Sequence, residues 1–192
     1  CPIVAPKFTM KYLHLVCQPL FLRIASVFAV SLLLACSPSL NWRVVPNTDV
    51  GYAATFPDKP AQITRTLDLI GLKVPLTLHA AQVDGLYFAV GTVPLQGDLT
   101  GKAQDLSQAL AQALANNINA GQAKLKPMQW LGMNVEELTA SGNLSSGKAG
   151  FAQARFFEHR GVLYEVVLMG EGAGADPDVV TQWFTGFNLL GQ

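Results

Sequence analysis

The strongest constraint on this chain is a stretch of strict alternation. Leu72, Val74, Leu76, Leu78 and Ala80 alternate with Lys73, Pro75, Thr77, His79 and Ala81. A period of two sends each set to one face of a strand, so the stretch predicts a strand with one buried face. Just before it, Ile63, Arg65, Leu67 and Leu69 alternate with Thr64, Thr66 and Asp68, and Ile70-Gly71 separates the two runs. That is the pattern of a hairpin. Pro75 has no N–H to give to a ladder, so an edge strand or a bulge is expected there. Asp84-Gly85 predicts a further tight turn. Residues 86–93 are apolar on both faces and predict a central strand.

The rest of the chain repeats this grammar around two helices. Residues 42–45 lead into the fold and are expected to stop at Pro46, and residues 51–56 predict a strand closed by Pro57-Asp58-Lys59-Pro60. Asp98 and Thr100 are candidate N-caps for a helix over 103–119, where Leu106, Leu110, Leu114 and Ile118 recur every four residues. Gly121 is the expected stop. Strands are predicted over 124–130 and 133–140 about Leu131-Gly132, and over 152–159 and 162–169 about Arg160-Gly161. The Gly/Ser/Asn-rich residues 141–150 predict the most mobile loop. Asp176-Pro177 opens a short helix with Val179, Val180, Trp183 and Phe184 on its apolar face, and residues 187–190 predict a last short strand. Hairpins with few helices define an α+β class: a mostly antiparallel sheet with one long and one short helix packed on it.

The N-terminal 35 residues carry a different signal. Ile24 to Ala35 are twelve residues interrupted only by Ser26 and Ser31, preceded by Lys7, Lys11 and Arg23, with no acid before Asp49. Such a run falls short of the roughly 20 residues needed to span a bilayer, and fits the apolar region of a secretory signal behind a basic flank. The chain opens on Cys1, and Met10-Lys11 would begin a signal of ordinary length, so residues 1–9 are expected to precede the true start.

Leu33-Leu34-Ala35-Cys36 resembles the bacterial lipobox, with Leu34 bulkier than the residue usual at its position. The resemblance implies cleavage between Ala35 and Cys36, diacylglycerol on the Cys36 thiol, and acylation of the new amine. Two or three acyl chains anchor a small domain stably, since each buried methylene contributes about 0.8 kcal/mol. The implied division is a signal peptide over 1–35, a lipidated N-terminus and linker over 36–41, and one domain over 42–192. Ser37, where aspartate would hold such a protein at the inner membrane, implies outer-membrane sorting in a Gram-negative envelope, with the domain facing the periplasm.

From Cys36 onward the chain has 157 residues, no further cysteine, and ten bases against thirteen acids. It therefore has no thiol chemistry, zinc-cysteine site or disulfide in its body and must rely on an apolar core. A mildly acidic body without a basic stripe also argues against nucleic acid as a partner.

Three stretches resemble the PsbP-like fold, an α/β/α sandwich shared by the photosystem II extrinsic protein and by bacterial envelope lipoproteins such as the DcrB type. Gly51-Tyr52-Ala53-Ala54-Thr55-Phe56-Pro57 is similar to an opening strand ending in Phe-Pro. Gly161-Val162-Leu163-Tyr164 is similar to a late hairpin, and Trp183-Phe184-Thr185-Gly186-Phe187-Asn188-Leu189 to the terminal helix and strand, with Gly186 where serine is usual. These are core and turn positions, so the resemblance implies a fold and no site.

Catalytic patterns are absent: no Gly-x-Ser-x-Gly, phosphate-binding loop, dinucleotide glycine pattern or His-Glu-x-x-His occurs. His79 and His159, with Arg155, Glu158 and Glu165 near the second, are read as solvated strand residues. Glu136-Glu137 and Asp176-Pro177-Asp178 are read as a solvated strand and a helix N-terminus. Trp130, Trp183 and Phe187 are read as core. No catalytic residue, metal or cofactor is assigned. The expectation is a non-enzymatic, lipid-anchored binding or accessory module for another envelope protein. The alternatives are a small-molecule carrier, with its pocket between the helix over 103–119 and the sheet, and a hydrolase using the His159 region.

Overall fold

The computed structural model describes residues 40–191, so Ala35, Cys36 and the whole signal segment lie outside the described residues. The described part is α+β with antiparallel strand pairing throughout. β1 (Arg43–Asn47), β2 (Tyr52–Phe56) and β10 (Asn188–Leu189) form a small sheet in the order β1-β2-β10. The large sheet runs β3 (Ala61–Leu69), β4 (Leu72–Val83), β5 (Leu86–Pro94), β9 (Val162–Glu171), β8 (Ala149–His159), β7 (Met133–Asn143) and β6 (Leu125–Trp130). The helices are α1 (Ala103–Asn117) and α2 (Pro177–Thr185). No helix among the described residues is long and apolar enough to cross a membrane.

Both faces of the large sheet are covered. On one face Phe88, Val90, Phe157, Tyr164, Val166 and Leu168 pack against Tyr52, Phe56, Trp183 and Phe187 of the small sheet, α2 and the chain joining them. On the other, Ala89, Val93, Leu138, Ala154, Phe156 and Val167 pack against Leu106, Leu110, Ala111 and Ala115 of α1. The division follows strand alternation: odd and even residues of β5 and β9 serve different cores.

Four hairpins turn on two residues that both have positive φ, at Ile70-Gly71, Asp84-Gly85, Leu131-Gly132 and Arg160-Gly161. This turn matches the twist of the flanking strands, and glycine at its second position removes half of the steric cost.

Several boundaries differ from those expected. Pro46 does not stop β1 but pairs with Ala53 inside it, which is tolerated because β1 is an edge. β4 is not an edge strand. Pro75 lies where β4 pairs with β3 alone, since the ladder to β5 begins at Thr77. Asp98 and Thr100 do not cap α1. Residues Gly97–Leu99 form a separate 3-10 turn, and Lys102 stands at the N-cap without a side-chain bond. Asn119 at φ 50°, not Gly121, ends α1. There the Ala120 N–H donates to the Ala115 carbonyl at 2.9 Å and the Asn119 N–H to that of Asn116 at 3.1 Å, satisfying the last carbonyls. The loop expected over 141–150 is shorter, because Ser141, Gly142 and Asn143 pair with Phe151, Gly150 and Ala149.

The linker ends earlier than its composition suggests. The Asn41 N–H already donates to the Pro57 carbonyl at 2.8 Å, and Trp42 meets Phe88 edge-on.

Gly186 follows α2 with an ordinary helical φ of −76°, so its role is spatial. A Cβ there would sit 2.7 Å from the Thr55 Cβ, while the Thr55 N–H donates to the Gly186 carbonyl at 3.0 Å. Gly186→Ala is expected to destabilise the fold by roughly 1–3 kcal/mol through overpacking. Urea denaturation would read this, and an unchanged midpoint would contradict it.

Candidate functional site

α1 is shorter than the sheet beneath it is wide. It packs chiefly on β8 and β7 and only lightly on β9 and β3. Its Leu110, Ala113 and Leu114 therefore overhang the β3–β4–β5 end of the sheet without filling it. The result is a cavity of about 700 Å³. Leu67, Leu76, Leu78, Ala89, Val167 and Met169 supply the sheet wall. This size is that of small-molecule sites, and the walls are mainly aliphatic.

One ionisable side chain lies deep within it. Glu165 is only 4 % exposed, in the middle of β9 and directly opposite Gly91 of β5. Its side chain lies across that glycine: a Cβ on Gly91 would meet the Glu165 Cγ at 2.4 Å. Glycine in a central strand is otherwise unfavourable, and here it makes the space the carboxyl occupies. Burial pushes the Glu165 carboxyl from its ordinary 4.5 up to about 7. Desolvation alone does this, since no hydrogen bond or ion pair reaches the group among the described residues.

Two further ionisable groups stand toward the cavity's β3–β5 wall. Tyr87 is half-buried, and its phenol is raised first by burial and then by the charge of Glu165, against a lowering by Arg65. Arg65 itself is exposed on β3. Glu171, at the end of β9, lines the cavity too but pairs with Lys148 at 2.8 Å.

The residues singled out in the sequence are dispersed. Glu165 belongs to the α1 face of the sheet, whereas Arg155 points to the opposite face and His159 follows it there in strand alternation. Arg155 is not a solvated neighbour of His159. Its guanidinium lies 4.1 Å from the Phe184 ring centroid and 4.7 Å from that of Trp130, and its Nε donates to Glu137 at 3.3 Å. Burial lowers the Arg155 pKa, against the pull of Glu137. Glu137 is thus a structural ion-pair partner and not a solvated strand residue.

His79 is not solvated either. It is half-buried, and its Nδ1 is 3.0 Å from the Tyr52 hydroxyl. Burial lowers the His79 pKa and lifts the Tyr52 phenol to about 12, so both groups are neutral near pH 7. His159 keeps its Nε2 buried and unpartnered beside a hollow of about 250 Å³ that it shares with Asp49 and Tyr164. No hydrogen bond, ring contact or common cavity joins the two histidines among the described residues.

Asp176 caps α2, its carboxylate accepting from the Asp178 N–H at 2.8 Å. Among the described residues no three His, Cys, Asp or Glu side chains converge as metal ligands would. Trp183 and Phe187 are fully buried, and Trp130 is half-buried against Phe157, Phe184 and Phe187.

No protein-family model matches the chain, and no curated protein matches it significantly. The site is therefore defined by its own geometry. Sequence reasoning placed a possible pocket under the long helix and missed Glu165 as its focus. Two signals were present: Glu165 is the only charge in the apolar run 162–169, and Gly91 interrupts the apolar run of β5.

The Glu165 pKa has a consequence for stability. Between pH 4.5 and about 7 the folded chain keeps a proton that the unfolded chain has lost. Stability therefore falls as pH rises through that window, and the full penalty, roughly 3 kcal/mol, is present above it. Glu165→Gln is expected to remove this component, so that the variant exceeds the parent protein in stability at pH 8 but not at pH 4.5. Denaturation midpoints across that range test it; parallel pH profiles for the two proteins would refute it.

Proposed function

We propose that this protein is a non-enzymatic, lipid-anchored carrier of the bacterial envelope, which holds a small apolar molecule between α1 and the large sheet. The observation that carries this reading is the cavity of about 700 Å³ with an unpaired acid on its floor. A helix packed flush on the sheet would leave no such space. Glu165 costs folding free energy where it stands, and an occupant that pairs with it would recover that cost.

The envelope location rests on the sequence of the N-terminal segment. The basic flank, the apolar run and Cys36 support export, lipidation and attachment by acyl chains, with the carrier domain close to the membrane and facing the periplasm. Ser37 supports the outer membrane. Membership of the PsbP-like group is part of the same proposal. A mostly antiparallel sheet covered by one helix on one face and by a terminal helix on the other supports it. A separate protein partner in the envelope would be the source or recipient of the cargo.

The test uses protein extracted from its own membranes. Its intact mass is expected to equal residues 36–192 plus acyl chains, and Cys36→Ser is expected to abolish acylation. Solvent extraction of the purified protein is expected to release a small apolar molecule that is absent from Ala113→Trp, whose indole would project into the cavity and obstruct it. An unacylated mass would overturn the anchor. Equal extracts from the parent protein and Ala113→Trp would overturn the carrier.

A further inference from the structure

We propose that the cargo carries one basic nitrogen, and that this cation pairs with the Glu165 carboxylate while its apolar body fills the space under α1. The inference rests on the carrier reading and specifies the chemistry of its ligand.

Among the described residues, no element that lines the cavity brings a cation to the Glu165 carboxyl. α1 offers Leu110, Ala113, Leu114 and Asn117, none of which ionises. β4 offers Leu76, Leu78 and Gln82. β5 offers Tyr87, which is itself made harder to ionise by Glu165. β3 offers Arg65, but that side chain is exposed and does not draw the Glu165 pKa down. On β9, Glu171 adds negative charge at the far end and is held by Lys148. The protein thus buries an acid and leaves the positive partner out.

Three kinds of apolar ligand could enter. Once the carboxyl has ionised, an anion would meet Glu165 as a like charge in a low-dielectric site, where repulsion is poorly screened. A neutral alcohol could exchange one hydrogen bond with the protonated acid, a modest gain. A protonated amine supplies both the opposite charge and several N–H donors, and charge-assisted bonds are about twice as strong as neutral ones. Gly91 leaves the carboxyl room beside the strand backbone. The pairing would therefore sit at the sheet end of the cavity, with the ligand's apolar part along Leu110 and Leu114.

The test titrates the mature lipidated protein, in a fixed concentration of mild detergent, with octylamine, 1-octanol and octanoate. Binding is read from the methyl resonances of Ala113 and Val167, which line the cavity. Comparing the parent protein with Glu165→Gln for each compound cancels its partition into detergent. Octylamine is expected to bind the parent protein at least about tenfold more tightly than the variant, and octanol equally well to both. Octylamine affinity for the parent protein is also expected to rise from pH 6 to pH 8 as the carboxyl ionises, and to stay flat for the variant.

Octanol binding to Glu165→Gln shows that the variant is folded and the cavity open. If octylamine then binds both proteins alike, or octanoate binds the parent protein more tightly than octylamine, the cationic-ligand inference is overturned while the carrier survives. If none of the three compounds moves the cavity methyls of the parent protein, the carrier reading falls with it.

Discussion

The fold depends on the ladder between β5 and β9. It joins Leu86 to Gly170 at one end and Pro94 to Val162 at the other. These strands are far apart in sequence, so the ladder closes a long loop holding α1 and β6 to β8. It is also the only pairing that links β3 and β4 to β6, β7 and β8 within the large sheet. Phe88, Ala89, Val90, Val93, Val166 and Leu168 along it are completely buried. Each strand serves both cores, with Phe88 and Val90 facing the aromatic side and Ala89 and Val93 facing α1. A shift of one residue would exchange those sets and spoil both cores at once.

The two faces of this sheet are filled by different chemistry. The face toward the small sheet is aromatic. Tyr52 stacks on Phe187, Phe157 stacks on Tyr164, and Trp183 meets Phe56 and Phe88 edge-on. Wide, flat side chains fill that layer although the covering elements are short. The face toward α1 is built from Ala89, Ala111, Ala115 and Ala154 with leucines between them. Small residues bring the helix close over β7 and β8, and the same closeness leaves the far end of the sheet beyond its reach. The cavity follows from a narrow helix on a wide sheet.

Much of this architecture was legible in the sequence because alternation and turn chemistry are local. Leu72 to Ala80 announced its buried face, and the four X-Gly turns marked the hairpins to the residue. What was not legible depended on partners distant in sequence. Pro75 argued correctly that its stretch lacks a ladder on one side, but nothing local showed that β5 pairs only from Thr77 onward. The end of α1 was misplaced because asparagine adopts the left-handed conformation more readily than other residues with a side chain, and Asn119 precedes Gly121. The strand side that His159 shares with Arg155 read as polar, because the Arg155 partners Trp130, Phe184 and Glu137 come from three other elements. His79 was misjudged for the same reason, its neighbour Tyr52 arriving from the small sheet.

The candidate site was hidden by a related effect. A glutamate in an apolar strand is ambiguous in sequence, since it can face water on a half-exposed sheet. It becomes informative only once both faces of β9 are known to be covered. The same pair then carries two local costs. Gly91 gives up strand propensity and side-chain packing, and Glu165 gives up hydration without gaining a partner. Either alone could be removed by a single substitution to an apolar residue. Placed opposite each other, they make one arrangement, because the space created by the glycine is the space used by the acid. The pair is a departure from local consistency in the middle of the sheet, and departures of that kind concentrate where a chain does its work.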